Sequence, residues 1–316
     1  MGVHALDAAA MSGDVLSAVY RVMVSCHEEV TPAEPYRTLA ETEAYLRHPP
    51  GFESRSYWYA DEAGEPVGFA QLGVVEGSAT GEVEILVHPD ARGRGDGAAL
   101  LEAVCARART AGCEVIMGSH ATAAGAAFAA RAGAVNRRRD VRSLLRLPLQ
   151  RPAVHPVQGY TVRSWTGATP ERLLDSFARA REAINDAPRA TEQEWSGWDP
   201  TRVRDLEATL QRRRREPRVT VALDAHGSVA GFTELHVSLA PDAKASTEDT
   251  AVVGEHRRRG LARWIKLESL ARLQHDRPDV QLVLTTNAED NEAMLKLNHS
   301  VGFVPIAHYT RCTLDL

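Results

Sequence analysis

Cysteine is scarce in this chain: Cys26, Cys105, Cys113 and Cys312 form no Cys-x-x-Cys pair and have no histidine clustered at zinc spacing. That scarcity argues against a disulfide framework and a metal site, and a reduced, cytoplasmic setting fits. Long apolar runs are missing too. No window approaches the roughly 18 apolar residues that a membrane helix needs, and MGVHALDAAAMSGD lacks a basic segment followed by an apolar one, so no membrane association is expected. Gly2 opens no myristoylation motif, because Leu6 stands where Ser or Thr is required. Positive charge is in deficit. A net charge of −5 and a pI of about 6.2 argue against a general nucleic-acid binder, which is basic over a whole domain. The local exception, Arg212 to Arg215 in DLEATLQRRRREPR, reads as a solvated helix face.

Two phosphate-loop signatures are also absent. A Walker A loop ends in Gly-Lys-Ser/Thr, and a dinucleotide fingerprint needs Gly-x-Gly-x-x-Gly with an acidic residue about 20 positions on. What the chain does carry is Arg257-x-x-Gly260-x-Ala262, in TAVVGEHRRRGLARWIKLESLARL, and 165 positions earlier Arg92-x-x-Gly95-x-Gly97, in VEILVHPDARGRGDGAALLEAV. Each copy is a β-branched run, a turn bearing Arg and Gly, and then a helix opening. A helix N-terminus leaves backbone N–H groups unsatisfied and carries partial positive charge, so a pyrophosphate can sit there if small residues let the backbone approach. Gly95, Gly97, Gly260 and Ala262 supply that clearance.

A further segment follows each loop. In VQLVLTTNAEDNEAMLKLNHSVGF, a Val/Leu strand over 280–285 leads through an Asp/Asn turn with Asn287 and Asn291 into an amphipathic helix carrying Met294, Leu295, Leu297 and Val301. Gly302 is its stop, before Phe303. The matching stretch of the first copy, CEVIMGSHATAAGAAFAARAGA, gives a strand over 113–118 and a helix over about 122–132. It lacks the asparagines and has Ala134 in place of Phe303, so this copy reads as degenerate.

A length of 316 residues suits two domains at about 150 residues each. LPLQRPAVHPVQGY, rich in proline, reads as an extended linker, which divides the chain into 1–147, a linker over 148–159, and 160–316. Before the linker, helices over 10–30 and 37–47 precede strands over 56–60 and 66–75. After it, a strand over 160–165, helices over 170–185 and 200–215, and strands over 219–224 and 228–237 repeat that order.

Strand, loop, helix and later segment together resemble the GNAT superfamily of acetyl-CoA-dependent N-acetyltransferases. Two-copy chains of this length are similar to the mycothiol synthases and to the tandem acetyltransferases of clavam and other antibiotic gene clusters. The resemblance implies an α/β (α+β) fold of two tandem domains, each a mixed, mostly antiparallel twisted sheet flanked by helices. It implies acetyl-CoA as acyl donor, a small-molecule amine as acceptor, direct transfer without a covalent enzyme intermediate, and a monomer or homodimer. Coenzyme contacts then fall on Val87, Arg92, Gly93, Arg94, Gly95, Asp96 and Gly97 in the first copy. In the second they fall on Val252, Val253, Arg257, Arg258, Arg259, Gly260, Leu261 and Ala262, with Asn287 and Asn291.

Acetyl transfer to an amine needs a base, polarisation of the thioester carbonyl and an outlet for the thiolate. By period two, Glu82 and Glu84 share one strand face, as do Glu248 and Thr250, with Asp249 on the other. Aligning the loops sets Asp249 opposite Glu84, so register does not choose between Glu248 and Asp249 as base. Polarisation falls to a backbone N–H near Val252 or Val253, and near Val87 or His88 in the first copy. Many family members carry a Tyr acid four residues before the Gly-Phe pair. Here that place is Asn298, or Ala129 in the first copy, with Tyr309 a reserve donor. ARAREAINDAPRATEQEWSGWDP resembles the family's acceptor loop over 184–199, which gives Asn185, Asp186 and Trp195 to the acceptor. The fuller later segment makes the second copy the expected catalytic one, with coenzyme but no turnover in the first. The alternative is a non-catalytic acyl-CoA-binding or sensor protein.

Overall fold

The computed structural model describes residues 2–149, 155–186, 197–240 and 243–316, so the expected linker over 148–159 lies partly outside the described residues. Two compact units emerge: Met1–Asp140 with Ile306–Leu316, and Val141–Arg189 with Gly197–Pro305. Packing therefore groups the chain differently from the repeat. The last eleven residues belong with the first unit, and residues from Val141 on belong with the second.

The first ten elements are β1 (Gly2–Leu6), α1 (Gly13–Val30), α2 (Leu39–Arg47), β2 (Glu53–Glu62), β3 (Glu65–Val75), β4 (Thr80–Val87), α3 (Asp96–Thr110), β5 (Val115–His120), α4 (Ala123–Arg131) and β6 (Val135–Arg146). The order then recurs as β7 (Thr161–Thr166), α5 (Glu171–Arg181), α6 (Pro200–Arg212), β8 (Arg215–Leu223), β9 (Val229–Ser238), β10 (Lys244–Val252), α7 (Leu261–Asp276), β11 (Leu282–Ala288), α8 (Glu292–Val301) and β12 (Val304–Asp315). The helix expected over 200–215 stops at Arg212. Arg214 takes a positive φ of 57° and Arg215 opens β8, so the arginine run is a helix end turning into a strand and not a helix face.

In the first unit β1 to β4 pair antiparallel in sequence order, β4 pairs parallel with β5, and β12 closes antiparallel on β5. In the second, β7 to β10 pair antiparallel and β10 pairs parallel with β11. Each sheet is thus mixed and mostly antiparallel. Helices cover both faces: Leu100, Val104 and Ala108 of α3 pack on Ala60, Ala70 and Leu72, while Leu16, Val19 and Met23 of α1 pack on Tyr57 and Phe69. In the second unit Leu173, Leu174 and Phe177 of α5 meet Val219, Val221 and Phe232, and Leu267, Leu270 and Leu273 of α7 meet Leu235, Val237 and Val283. Each such side chain contributes about 1.5–3 kcal/mol on burial. With both faces covered, β9 reads VAGFTELHVS with almost no alternation of burial, and its one carboxylate, Glu234, lies in the core at 3 % exposure.

Candidate active site

The parallel pairs are short, and that opens each unit. Lys244–Ser246 pair with Leu282–Leu284, after which β10 and β11 part; Thr80–Glu82 pair with Val115–Met117, after which β4 and β5 part. At the end of each parted strand stands the Arg/Gly loop. Gly95 (φ 103°) and Gly260 (φ 87°) occupy the N-cap of α3 and α7 in the left-handed region, and no side chain caps either helix. First-turn amides without a side-chain acceptor, behind a residue with no Cβ, fit an anionic diphosphate. A Cβ at Gly97 would stand 3.3 Å from the Phe128 ring, whereas the second unit carries Ala262 at the matching place.

The two loops are wired alike. Arg92 Nε donates to the Val87 carbonyl at 3.2 Å and Arg257 Nε to the Val252 carbonyl at 2.9 Å. Arg94 reaches the Asp90 carbonyl at 3.0 Å and Arg259 that of Glu255 at 3.3 Å. Gly93 (φ 83°) and Arg258 (φ 61°) hold the same left-handed turn. The loops differ at their next residue. Leu261 and Asp96 are each 1 % exposed, but neither carboxylate oxygen of Asp96 has a partner among the described residues.

The backbone sorts the expected oxyanion donors. Val253 N–H donates to the Ala230 carbonyl and His88 N–H to that of Val67, both at 2.9 Å. Strand alternation turns the Val252 and Val87 amides the other way, toward the parting of the strands.

A bulge shapes the second unit. The register of β10 on β9 shifts between Thr247 and Thr250, so two residues face one across the ladder. Period two, which put Asp249 on the opposite face from Glu248, fails there. Glu248 meets His236 Nδ1 at 3.5 Å, Asp249 Oδ2 meets Arg181 Nη2 at 3.2 Å, and Thr250 turns to Thr233 at 2.8 Å. Both carboxylates therefore face the same cluster on α5 and β9. Arg181, from the last turn of α5, gives Nη1 to Glu234 Oε2 at 2.5 Å and stacks 3.8 Å from the Trp198 ring centroid. Glu234 Oε1 meets His236 Nε2 at 2.6 Å. Trp198 falls in the expected acceptor loop over 184–199, whereas Arg181, Glu234 and His236 are not singled out by the sequence; the signal available is a Glu-x-His in an apolar strand.

Charges are tuned accordingly. Burial alone would raise the Glu234 carboxyl, but Arg181 and His236 hold it down at about 2. Burial would lower His236, and Glu248 and Glu234 outweigh it to raise its pKa. Asp249 is raised by burial, with Glu234 and Glu248 adding to the rise and Arg181 opposing it. Asp249 retains 32 % side-chain exposure and Glu248 41 %.

The first unit differs. The register of β3 on β4 runs unbroken from Gly68↔Val87 to Val74↔Gly81, with no bulge. Glu84 is raised by burial and drawn down by Arg37 and Arg55, whose guanidinium groups lie 4.3 and 4.5 Å from the Tyr45 ring centroid.

Other expected residues separate. The turn Glu182–Asp186, holding Asn185 and Asp186, packs against β10, and Asn185 Nδ2 donates to Glu182 at 2.8 Å. Trp195 lies outside the described residues. Asn291 caps α8 by accepting from Met294 N–H at 3.2 Å, and Asn298, 2 % exposed, donates to Asn287 at 2.6 Å while its Oδ1 stays unpartnered. Tyr309 lies on β12, in the stretch Ile306–Leu316 that is grouped with the first unit. Among the described residues no group of His, Cys, Asp and Glu forms a metal site, and no helix is long and apolar enough to cross a membrane.

Comparison with known proteins agrees with this architecture. The model of the acetyltransferase (GNAT) family matches residues 16–133. The chain is 31 % identical over 259 residues to a mycothiol acetyltransferase of Thermobispora bispora, covering 80 % of this chain and 79 % of that one. A tandem GNAT protein from the clavulanic acid biosynthesis pathway superposes with a TM-score of 0.84 at 26 % identity, over 99 % of this chain and 98 % of that one. A GCN5-related N-acetyltransferase from Sphaerobacter thermophilus shares the fold, with a TM-score of 0.72 at 17 % identity over 99 % and 95 % of the chains. The chain belongs to the GNAT family of acetyltransferases. It is an acyltransferase of the tandem type, and acetyl-CoA is the acyl donor in that family.

Proposed function

We infer that the chain transfers an acetyl group from acetyl-CoA to a small-molecule amine, directly, and that the second unit carries out the transfer. The observation that carries this reading is the bulge of β10, which gathers Glu248 and Asp249 on one face where β10 and β11 part. Of the charges gathered there, Asp249 and Glu248 are the more exposed while Arg181 is buried and His236 nearly so, which favours a cationic acceptor. At the matching place the first unit sets Glu84 against two arginines, which disfavours one.

In this reading the amides at the start of α7, with Arg257, Arg258 and Arg259, hold the coenzyme diphosphate, and Asn287 and Asn291 line the later segment. When bound, acetyl-CoA supplies the activated acyl group. Asp249 takes the proton of the acceptor ammonium, Glu248 adds negative charge beside it, and Val252 N–H polarises the carbonyl. The turn bearing Asn185 and Asp186 borders the acceptor, and coenzyme A leaves as the thiolate, its sulfur hydrogen-bonded by the Asn298 amide N–H and protonated from solvent after release. The first unit holds coenzyme through Val87 and the Arg92–Gly97 loop without turnover. Relatedness to a mycothiol acetyltransferase and a clavulanic acid pathway protein supports a specialised-metabolite amine as acceptor. In this reading the enzyme is cytoplasmic and acts as a monomer or homodimer.

The test is release of coenzyme A by the full chain with a panel of primary amines: glucosamine, spermidine, tyramine and cysteine amide. Release that depends on an amine is expected. Release no faster than hydrolysis without amine, across the whole panel, would overturn the reading.

A further inference from the structure

The two units differ at one seat that the repeat itself does not advertise. Gly68 faces Val87 in β3 and β4, as Gly231 faces Val252 in β9 and β10. Three residues further along the inner strand stand Gln71 and Glu234. Glu234 divides its oxygens, Oε2 to Arg181 at 2.5 Å and Oε1 to His236 at 2.6 Å. Arg181 then reaches Asp249 through Nη2 onto Oδ2 alone, at 3.2 Å, and Asp249 Oδ1 has no partner among the described residues. Gln71, directly opposite Glu84, is neutral; Arg37 and Arg55 draw Glu84 down, and Arg55 is already paired with Glu53 at 2.6 Å.

We propose that Glu234 is a positioning residue: by binding Arg181 and His236 it leaves one oxygen of Asp249 for the acceptor, a role that the neutral Gln71 in the matching seat cannot take for Glu84. Glu234, with 4 % side-chain exposure, does not itself meet the acceptor. The inference rests on Asp249 being the base. Charged groups facing Asp249 are Arg181 of α5, Glu234 and His236 of β9, and Glu248 of its own strand; Arg215 of β8 lies behind, bonded to the His236 carbonyl at 3.0 Å. Removing the Glu234 charge takes away one neighbour that disfavours ionised Asp249 and leaves Arg181 to Asp249 alone. Both effects move its titration to lower pH.

The experiment is the titration of the Asp249 side-chain carboxyl by carbon NMR in the aspartate-labelled full chain, its signal assigned by its loss in D249N. A shift to lower pH in E234Q, reversed in E234D, is expected; an unmoved titration overturns the role of Glu234. Should E234Q not fold, Q71E carries the test, because Gln71 faces Glu84 directly across β3 and β4, and a carboxylate there should move the Glu84 titration to higher pH in the glutamate-labelled chain. No movement there overturns the proposal as well. A D249N enzyme with unimpaired amine acetylation would instead sink the base assignment, whatever the titrations show.

Discussion

Asp249 shares the guanidinium of Arg181 with Glu234, across a bulge that carries it to the same face as Glu248. Burial raises Asp249 against the opposing pull of Arg181, which suits a proton acceptor. D249N should lower kcat by about 100-fold to 10,000-fold, the usual worth of a general base, while KM for acetyl-CoA changes little. E248Q should cost less, through the field it exerts. Steady-state kinetics on both variants checks the order, and a larger loss in E248Q would exchange the roles.

Lys266 offers a test away from the site. It is 2 % exposed on α7, its Nζ lies 5.1 Å from the Phe303 ring centroid, and burial pushes it down from 10.5 to about 7. Between those values the unfolded chain holds a proton that the folded chain has released, so folding grows more favourable as pH rises through the window. K266M removes the cost of burying the ammonium. The variant should exceed the native protein in stability by roughly 2–4 kcal/mol at pH 6, after allowance for the lost ring contact, with the difference shrinking toward pH 10. Urea unfolding at several pH values reads this directly, and a gap that does not vary with pH would contradict it.

Asp96 is a second buried charge. Its place at the start of α3 earns about 0.3–1 kcal/mol from the helix dipole, less than the roughly 1–3 kcal/mol cost of an unsatisfied buried polar group. Leu261 fills the same seat in the second unit. D96L should therefore raise Tm by a few degrees in a thermal melt. A lower Tm would mean that the carboxylate has a partner in solution.

Much of the fold was legible because duplication states it twice. The Arg/Gly loops fix a left-handed residue before a helix, a backbone demand that only a few residue types meet, so Gly95 and Gly260 announced α3 and α7. The strands β3, β8 and β9 followed from β-branched runs and β2 from the aromatic run Tyr57-Trp58-Tyr59, with glycine turns between them. The five residues of β1 carry no such run, and its pairing with β2 is a matter of tertiary contact. Tyr309 was tied to the second copy by chain order, whereas its strand packs with the first unit. Alternation failed where it mattered most, at the bulge of β10. One extra residue moves Asp249 across the sheet, and the partners it meets there, Arg181 and Glu234, come from elements far away in sequence.

The central claim is that the second unit performs the transfer. Its most direct test compares amine-dependent release of coenzyme A by the native chain, G260E and G95E, with circular dichroism confirming that each is folded. A glutamate at Gly260 puts negative charge and a Cβ into the loop that receives the diphosphate. The account predicts that G260E loses amine-dependent release. Retention of the native rate by G260E, together with its loss in G95E, would contradict it and move catalysis to the first unit.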